Sequence, residues 1–367
     1  MENIAIFFGG SSVEHDISVI TGVLTANSLN VEKYLAVPVY VHNDGAWYTG
    51  RKLLDLDNYK KLDLNELERV TLINGQNTLY RVVKQKKLKP VCKISSAINC
   101  MHGERGEDGS LAGLLNMCEV PLVSPSMLAS AVSMDKCFTK TVMKGLKIKT
   151  LPFVTVTDIE DVDKVTRKLK FPVIIKPACL GSSIGLYTAN DGKELIDGIN
   201  GALRLGDKVI VEPKLTGYKE INCAVYKKED GIVVSECERP IGKGELLSFA
   251  DKYTGGDRVF PADIDESIAE RIKIITKKVY TELFFTGVIR IDYFVKDGEI
   301  YLNEINSVPG SLAFYLFCGT LREFSSMLDE MLKETKKRTA TATTIIRKYN
   351  SGILSFSGSK GAKTKKK

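Results

Sequence analysis

The chain has 367 residues, of which 44% are hydrophobic and 26% are charged, and its formal net charge is +7. This length predicts two or three domains, and the composition is ordinary for a globular protein. No apolar run approaches the roughly 18 residues that a membrane-spanning helix needs, and the N-terminus lacks the basic segment of a secretory signal. The eight cysteines are irregularly spaced, which favours free thiols in a reducing compartment. We therefore expect a cytoplasmic protein without membrane insertion.

The positive charge is concentrated at the C-terminal end of the chain. From Lys333 onward eleven Lys or Arg residues accompany one acidic residue, Glu334, which leaves a net charge of −3 on residues 1–332. A slightly acidic body does not favour specific nucleic-acid binding. The last eight residues include five lysines together with Gly, Ala and Thr, so we expect a disordered basic tail.

The first 120 residues alternate between strand and helix patterns. Buried strands are predicted at residues 4–8, 34–41 and 97–101, with an amphipathic helix from about Asp16. This alternation predicts a parallel sheet with helices on both faces. Ligands of such sheets bind at the carboxyl ends of the strands, where the segments 9–14 and 102–109 lie.

The middle of the chain has a different pattern, because its predicted strands follow one another more closely. After a helix-rich linker at 126–146, helices are predicted at 161–169, 194–205 and 266–283. Antiparallel strands interspersed with helices indicate an α+β domain. The predicted strands are 152–156, 173–177, 185–188, 209–212, 220–226 and 231–237.

Residues 290–306 predict a hairpin with an unusual polar face. Alternation places Arg290 with Asp292 on one face of the first strand, and Glu304 with Asn306 on one face of the second. Oxygen ligands of this kind suit Mg²⁺, which is usually held by one or two carboxylates plus substrate phosphates. The alternative is a surface hairpin whose polar side faces water.

A second motif suggests phosphate binding. Lys176 ends a buried strand, and the glycine–serine loop 181–185 follows it. A lysine, backbone N–H groups and hydroxyls in that order can bind a polyphosphate, although no Walker A sequence is present. The alternative is a surface turn. The next apolar segment, 209–215, is typical of a strand whose backbone pairs with an adenine edge.

Taken together, these segments resemble the ATP-grasp fold, and further motifs resemble D-alanine–D-alanine ligases within it. The resemblance covers roughly residues 3–335. The motifs occur in the order of the family with compatible spacing: FGGSSVEHDIS at 8–18, HGERGEDG at 102–109, MDK at 134–136, KY at 252–253 and NEINSVPG at 303–310.

The resemblance implies that ATP phosphorylates the carboxylate of one D-alanine and that the amine of a second attacks the acylphosphate. Asp292, Glu304 and Asn306 would hold two Mg²⁺ ions, with Mn²⁺ as a possible substitute. The implied ATP-binding residues are Lys136, Lys176, Ser183, Glu212, Lys214, Leu215, Glu220, Lys252 and Asn303.

The resemblance also assigns the substrate site. Glu14 would bind the first ammonium group and form a hydrogen-bonded trio with Ser182 and Tyr253. Arg290 and the Gly310 amide would stabilise the oxyanion. The implied substrate-binding residues are His15, His102, Tyr315 and Leu316.

The chain departs from the family near the second substrate. Tyr315 stands where the family has a serine that binds the acceptor carboxylate, whereas Leu316 can still donate its backbone amide. Three explanations follow: a reshaped D-alanine pocket, a different acceptor amino acid, or nucleotide binding without ligation. The retained phosphate and metal residues argue against the third. A dinucleotide-binding dehydrogenase is a further alternative, but Gly9-Gly10 lacks the full glycine spacing.

We therefore expect an N-terminal Rossmann-like α/β domain followed by a two-subdomain ATP-grasp fold. The predicted boundaries are 1–125, 126–215 and 216–338, with an extension and tail at 339–367. The expected partners are D-alanine or another small amino acid and, because the family often forms them, a second copy in a homodimer.

Overall fold

The computed structural model describes residues 1–83, 87–241, 257–344 and 351. The α-helices of these residues, α1–α8 in chain order, are His15–Ser28, Ser110–Met117, Met127–Met134, Lys136–Gly145, Val162–Lys168, Gly192–Leu203, Glu266–Glu282 and Leu321–Thr343. The strands β1–β18 are Glu2–Gly9, Tyr34–Val41, Trp47–Thr49, Glu68–Ile73, Gln76–Val82, Leu88–Lys93, Ser96–Asn99, Leu122–Val123, Val154–Val156, Val173–Pro177, Tyr187–Ala189, Val209–Pro213, Lys219–Lys228, Gly231–Val234, Arg239–Pro240, Arg258–Val259, Val288–Lys296 and Glu299–Asn306.

The N-terminal sheet has the order β6-β5-β4-β3-β2-β1-β7-β8 and is only half parallel. β1 pairs in parallel with β2 and β7, and β7 with β8, but β2 to β6 form an antiparallel meander. The prediction of a parallel sheet is therefore wrong for residues 47–93. The Asn74-Gly75 turn between β4 and β5 is the local reason, because such a turn closes a hairpin, whereas a parallel pair needs a long crossover.

The centre of this sheet positions the first substrate motif. Residues 4–8 of β1 are fully buried, as expected for a strand with neighbours on both sides. Helix α1 packs closely over β1 at Gly22, where a Cβ atom would lie 2.3 Å from Cγ of Phe8. This close packing fixes the turn at 9–14 between the end of β1 and the start of α1.

Two antiparallel sheets follow, as predicted for an α+β region. The first has the order β11-β10-β12-β9 and shares a core with α5 and α6. The second has the order β14-β13-β17-β18 and shares a core with α7. β15 and β16 form a separate two-stranded sheet beside them.

Helix α8 connects the C-terminal region to the N-terminal domain. It begins with a capping box formed by Thr320 and Glu323, and its Phe324 and Leu328 share a core with α1. The helix continues through Arg338 to Thr343, so the boundary placed at 338 falls inside it. The basic tail lies outside the described residues. Within the described ranges, no helix combines the length and apolarity needed to cross a membrane.

Candidate active site

A pocket between the two antiparallel sheets collects the lysines of the phosphate motif, and we call it the lysine pocket. Strands β10, β12, β17 and β18 and the loop 180–184 contribute to its lining. Lys252, which the sequence analysis also assigned to ATP, lies outside the described residues. The described residues that were assigned to ATP all line this pocket: Lys136, Lys176, Ser183, Glu212, Lys214, Leu215, Glu220 and Asn303.

Two lysines share one buried carboxylate at the floor of the lysine pocket. Lys176 Nζ lies 2.8 Å from Glu212 Oε2, and the fully buried Lys140 forms an ion pair with the other oxygen of Glu212. Burial alone would raise the pKa of Glu212, but Lys176 and Lys140 outweigh it and lower that pKa to about 2. Burial lowers the pKa of Lys140. Glu212 is therefore a charged anchor that holds both ammonium groups.

The β17–β18 hairpin, which the sequence analysis proposed as a metal site, brings its four polar residues together. Asp292 lies opposite Glu304, and Arg290 lies opposite Asn306, on the paired strands β17 and β18. Asp292 accepts hydrogen bonds from Arg290 Nε (2.7 Å), Arg290 Nη2 (3.0 Å) and Asn306 Nδ2 (3.0 Å). Lys136 Nζ lies 3.8 Å from Glu304 Oε2. A guanidinium and an ammonium group thus flank the two carboxylates.

The donor set of this hairpin fits a divalent cation that substrate phosphates help to hold. Asp292 is 1% exposed, and the side chain of Glu304 is 22% exposed beside the lysine pocket. In the described ranges, no group of three or more His, Cys, Asp or Glu side chains forms a complete protein site. Two carboxylates and one amide are the ligands that Mg²⁺ uses when phosphates complete its coordination.

A second pocket lies on the same face of β17, nearer the start of the strand, and we call it the arginine pocket after Arg258 and Arg290. It contains most of the residues that the sequence analysis assigned to the amino-acid substrates. Its polar lining residues are Glu14, Thr21, His102, Glu107, Glu220, Asn222, Glu238, Asp257, Arg258, Arg290, Asn306, Ser311 and Tyr315, and the Gly310 backbone also lines it.

Thr21 connects His102 to the loop that carries Gly310. The buried hydroxyl of Thr21 accepts the Ser311 backbone N–H over 3.0 Å and lies 3.0 Å from His102 Nε2. The His102 ring also bonds the Val308 backbone, and burial together with Arg290 lowers the pKa of His102 to about 4. Since His102 is neutral and its other nitrogen donates to Val308, Nε2 accepts the Thr21 proton. Thr21 therefore holds both the His102 ring and the loop that carries Gly310 in position.

Thr21→Val is expected to raise the KM for D-alanine roughly tenfold, because the isosteric side chain removes both hydrogen bonds at a buried position. Initial rates of phosphate release at varied D-alanine, with ATP saturating, test this expectation. Thr21→Ser keeps the hydroxyl and should restore most of the affinity. A valine variant with an unchanged KM would show that these bonds do not position the substrate loop.

Glu14 and Ser182 meet at the boundary between the two pockets. The Ser182 hydroxyl donates to Glu14 Oε1, and both residues are buried. Ser182 and Ser183 have φ values of +54° and +58°, a left-handed conformation that is costly for serine. This conformation directs the loop toward Glu14. Tyr253, the third member of the predicted trio, lies outside the described residues.

A third, smaller pocket joins the lysine pocket to the arginine pocket. Its lining takes residues from both, which places Lys136 of the lysine pocket beside Glu14 of the arginine pocket. The shared residues are Glu14, Glu107, Lys136, Leu180, Gly181, Ser182, Arg290, Glu304 and Asn306. These side chains therefore lie where the lysine pocket and the arginine pocket adjoin.

Two family models match the chain in sequence. The D-ala D-ala ligase N-terminus matches residues 3–125, and the D-ala D-ala ligase C-terminus matches residues 142–333. The chain belongs to the D-alanine–D-alanine ligase family. This family consists of ATP-dependent ligases that form D-Ala-D-Ala for peptidoglycan synthesis, so the chain is an enzyme of the ligase class, as predicted.

Individual relatives agree with the family match. A D-alanine–D-alanine ligase of Thermosipho melanesiensis is 34% identical over 90% of this chain and 93% of its own length. That of Proteus mirabilis is 31% identical over 93% and 98%. The crystal structure of the Helicobacter pylori ligase is 29% identical, covers 91% of this chain and 98% of its own, and has a TM-score of 0.75.

A further solved structure is the VanG D-Ala:D-Ser ligase from Enterococcus faecalis. It is 25% identical, covers 91% of this chain and 99% of its own, and has a TM-score of 0.79. These structural neighbours confirm the predicted ATP-grasp fold.

Two residues assigned to the substrates do not line the arginine pocket. His15 lies in the N-terminal domain, where its Nδ1 is 2.6 Å from the Gly10 carbonyl and its Nε2 is 3.1 Å from the Tyr40 hydroxyl. The Leu316 side chain is 3% exposed and belongs to the core that α1 and α8 share. Only the backbone amide of Leu316 therefore remains relevant to a ligase substrate.

Glu107 is a site residue that sequence reasoning missed. Its carboxylate accepts the backbone N–H groups of Gly103 (2.9 Å) and Val308 (3.0 Å). Burial, and then the neighbouring Glu14, raise the pKa of Glu107 to about 8. Glu107 therefore connects the HGERGEDG motif to the NEINSVPG motif through these two hydrogen bonds. The sequence showed Glu107 within the HGERGEDG motif, but its partner Val308 lies 201 residues away along the chain.

Proposed function

We propose that this chain joins two D-alanine molecules into D-Ala-D-Ala at the expense of ATP, and so supplies peptidoglycan synthesis in the cytoplasm. The family match supports the reaction class, and the activity named for its relatives supports the substrate. The geometry that carries the proposal is the small pocket that joins the lysine pocket to the arginine pocket. Phosphoryl transfer depends mainly on such positioning and on charge neutralisation.

The residues of the lysine pocket fit the triphosphate of ATP. Lys136 and Lys176 both line the pocket and supply its cations, and Lys136 lies beside the proposed metal ligand Glu304. Ser182 and Ser183 of the left-handed loop line the same pocket, and their backbone N–H groups would bind the phosphates there. Together they would hold the γ-phosphate next to a carboxylate in the joining pocket.

The residues of the arginine pocket fit the amino-acid substrates. Glu14 would bind the ammonium group of the first D-alanine, and Arg290 with the Gly310 amide would stabilise the charge that develops on its carbonyl oxygen. The bidentate contact with Asp292 holds the Arg290 guanidinium in one orientation. Glu14 and Arg290 both line the joining pocket, together with Lys136.

Asp292, Glu304 and Asn306 would hold two Mg²⁺ ions, for which Mn²⁺ can substitute. Bound there, the ions would neutralise the oxygens of the transferring phosphate. We also propose that residues 1–125, 126–215 and 216–338 act as the substrate lobe and the two ATP-grasp lobes. A homodimer is the proposed assembly.

A dipeptide ligase with a different acceptor is the second candidate. Tyr315 favours it, because this residue fills the position where the family is expected to have serine, and its hydroxyl lies 3.3 Å from Arg290 Nη1. A bulkier lining at this point changes the shape of the acceptor space. The two candidates share the phosphoryl-transfer step and differ only in the second substrate.

Phosphate release from Mg-ATP is expected to require D-alanine and to yield D-Ala-D-Ala. A screen of D- and L-amino acids, singly and in pairs, with phosphate and dipeptide both quantified, tests this. Omission of Mg²⁺ should abolish release. Without the ion, the two carboxylates of the proposed metal site would face the negatively charged phosphates with no cation between them. Release with D-alanine only in combination with another amino acid would instead support the second candidate. No release with any pair would contradict both.

A further inference from the structure

Arg258 presents a fixed and partly accessible guanidinium group to the arginine pocket. Its Nη1 donates to Glu238 Oε1 over 3.1 Å, and its guanidinium carbon lies 5.0 Å from the centre of the Tyr315 ring and 5.6 Å from that of Phe260. The Glu238 side chain is 6% exposed, whereas that of Arg258 is 42% exposed. A buried carboxylate and two aromatic rings thus orient the group without covering it.

Arg290, by contrast, has a protein partner at each of its three nitrogens, which leaves one N–H on Nη1 and one on Nη2 for the proposed oxyanion. Nε and Nη2 donate to Asp292, and Nη1 donates to the Tyr315 hydroxyl over 3.3 Å. Burial raises the pKa of Tyr315, so this hydroxyl keeps its proton. Since it accepts from Arg290, its own proton is left to donate to another group. Tyr315 therefore offers a second donor close to the Arg258 guanidinium.

The chemistry of dipeptide formation leaves one carboxylate that must be held without reacting. The carboxylate of the donor amino acid accepts the phosphoryl group and therefore faces the lysine pocket. The amine of the acceptor attacks the acylphosphate carbon, the C–N bond forms, and the C–O bond to phosphate breaks. Phosphate leaves with the electron pair, and the amine loses a proton. The carboxylate of the acceptor stays charged throughout, so it needs a cation.

We propose that Arg258 binds the α-carboxylate of the acceptor amino acid, with the Tyr315 hydroxyl as a second donor. The inference rests on the proposed function and names the group that selects its second substrate. Among the described residues that line the arginine pocket, Arg258 and Arg290 are the cationic ones, and Arg290 is already engaged by Asp292. Arg258 shares that pocket with Gly310, at which the acylphosphate would react.

Competition between D-alanine and D-alaninamide as acceptors tests the role of Arg258. The amide keeps the attacking amine but has no carboxylate, and it cannot serve as donor. With both present, D-Ala-D-Ala and its amide are quantified by mass spectrometry. Arg258→Gln is expected to lower the ratio of dipeptide to dipeptide amide at least roughly tenfold, the value of one charge-assisted hydrogen bond. A merely structural loss would reduce both products equally and leave their ratio unchanged.

Arg239 provides the matched control on the partner strand of the same two-stranded sheet. It pairs with Asp263, and Arg239→Gln should leave the product ratio unchanged. Tyr315→Phe removes only the second donor and should lower the ratio less than Arg258→Gln does. Arg258→Lys keeps the charge and provides an intermediate ratio if the glutamine variant does not fold.

The outcomes separate this inference from the proposed function. An unchanged ratio in folded Arg258 variants, checked by melting temperature, would overturn the role of Arg258 while leaving D-Ala-D-Ala formation intact. A wild-type enzyme that uses both acceptors equally would overturn it as well. Formation of neither product by the wild-type enzyme would contradict the proposed function itself.

Discussion

Replacement of Asp292 by asparagine is expected to lower kcat for phosphate release by roughly 10³-fold. Loss of one preorganised contact with a charge at a reacting centre has an effect of this size. Asp292 is both a proposed Mg²⁺ ligand and the group that holds Arg290 by two hydrogen bonds. The amide would keep one acceptor oxygen but would direct its NH₂ group at the donors of Arg290 and Asn306. Steady-state phosphate release at saturating ATP and D-alanine measures the effect.

The loss of a buried ion pair also affects stability, so the experiment needs a matched control. Breaking such a pair costs about 3–5 kcal/mol, and urea unfolding of Asp292→Asn reports whether the variant is still folded at the assay temperature. Asp297→Asn changes the same residue type in the exposed turn of the same hairpin, where asparagine tolerates the left-handed conformation. Its activity should match the wild type. A folded Asp292 variant with nearly unchanged kcat would refute the assignment.

The convergence of polar residues on the β17–β18 hairpin could be predicted from the sequence, whereas the antiparallel pairing of β2 to β6 was not predicted. Arg290, Asp292, Glu304 and Asn306 converge because alternation along two paired strands is a local property that the sequence displays. The meander between β2 and β6 was missed, because the prediction extended the alternation of the flanking segments across it. Its Asn-Gly turn was the signal that would have shown antiparallel pairing.

The site residues that sequence reasoning missed depend on partners distant in the chain. Thr21 meets Ser311 across 290 residues, and Glu107 meets Val308 across 201. No local pattern indicates that a threonine on α1 supports a loop near the C-terminus. Lys140 is the exception, since it follows Lys136 by four residues and so extends the same face of α4. That spacing could have marked it as a second cation near the phosphate site.

Glu212→Gln is expected to lower the free energy of unfolding by about 3–5 kcal/mol at neutral pH, because it leaves two buried ammonium groups without their shared carboxylate. Lys140 is fully buried and the Lys176 side chain is 14% exposed, so water compensates little for the loss. The KM for ATP should rise as well, since Lys176 loses the group that positions it in the lysine pocket. Urea unfolding and ATP titration of the purified variant measure the two effects.

The pH dependence gives the same prediction a second, independent readout. The folded pKa of Glu212, about 2, lies below its ordinary value of 4.5, so its stabilising effect is present above pH 4.5 and is lost as the pH falls toward 2. The wild-type protein should therefore lose more stability over this interval than Glu212→Gln. Glu299→Gln removes a carboxylate from an exposed pair with Lys149 and should cost far less stability, because water screens such a pair. Equal losses in the two variants would mean that the buried pairs contribute no more than a surface contact.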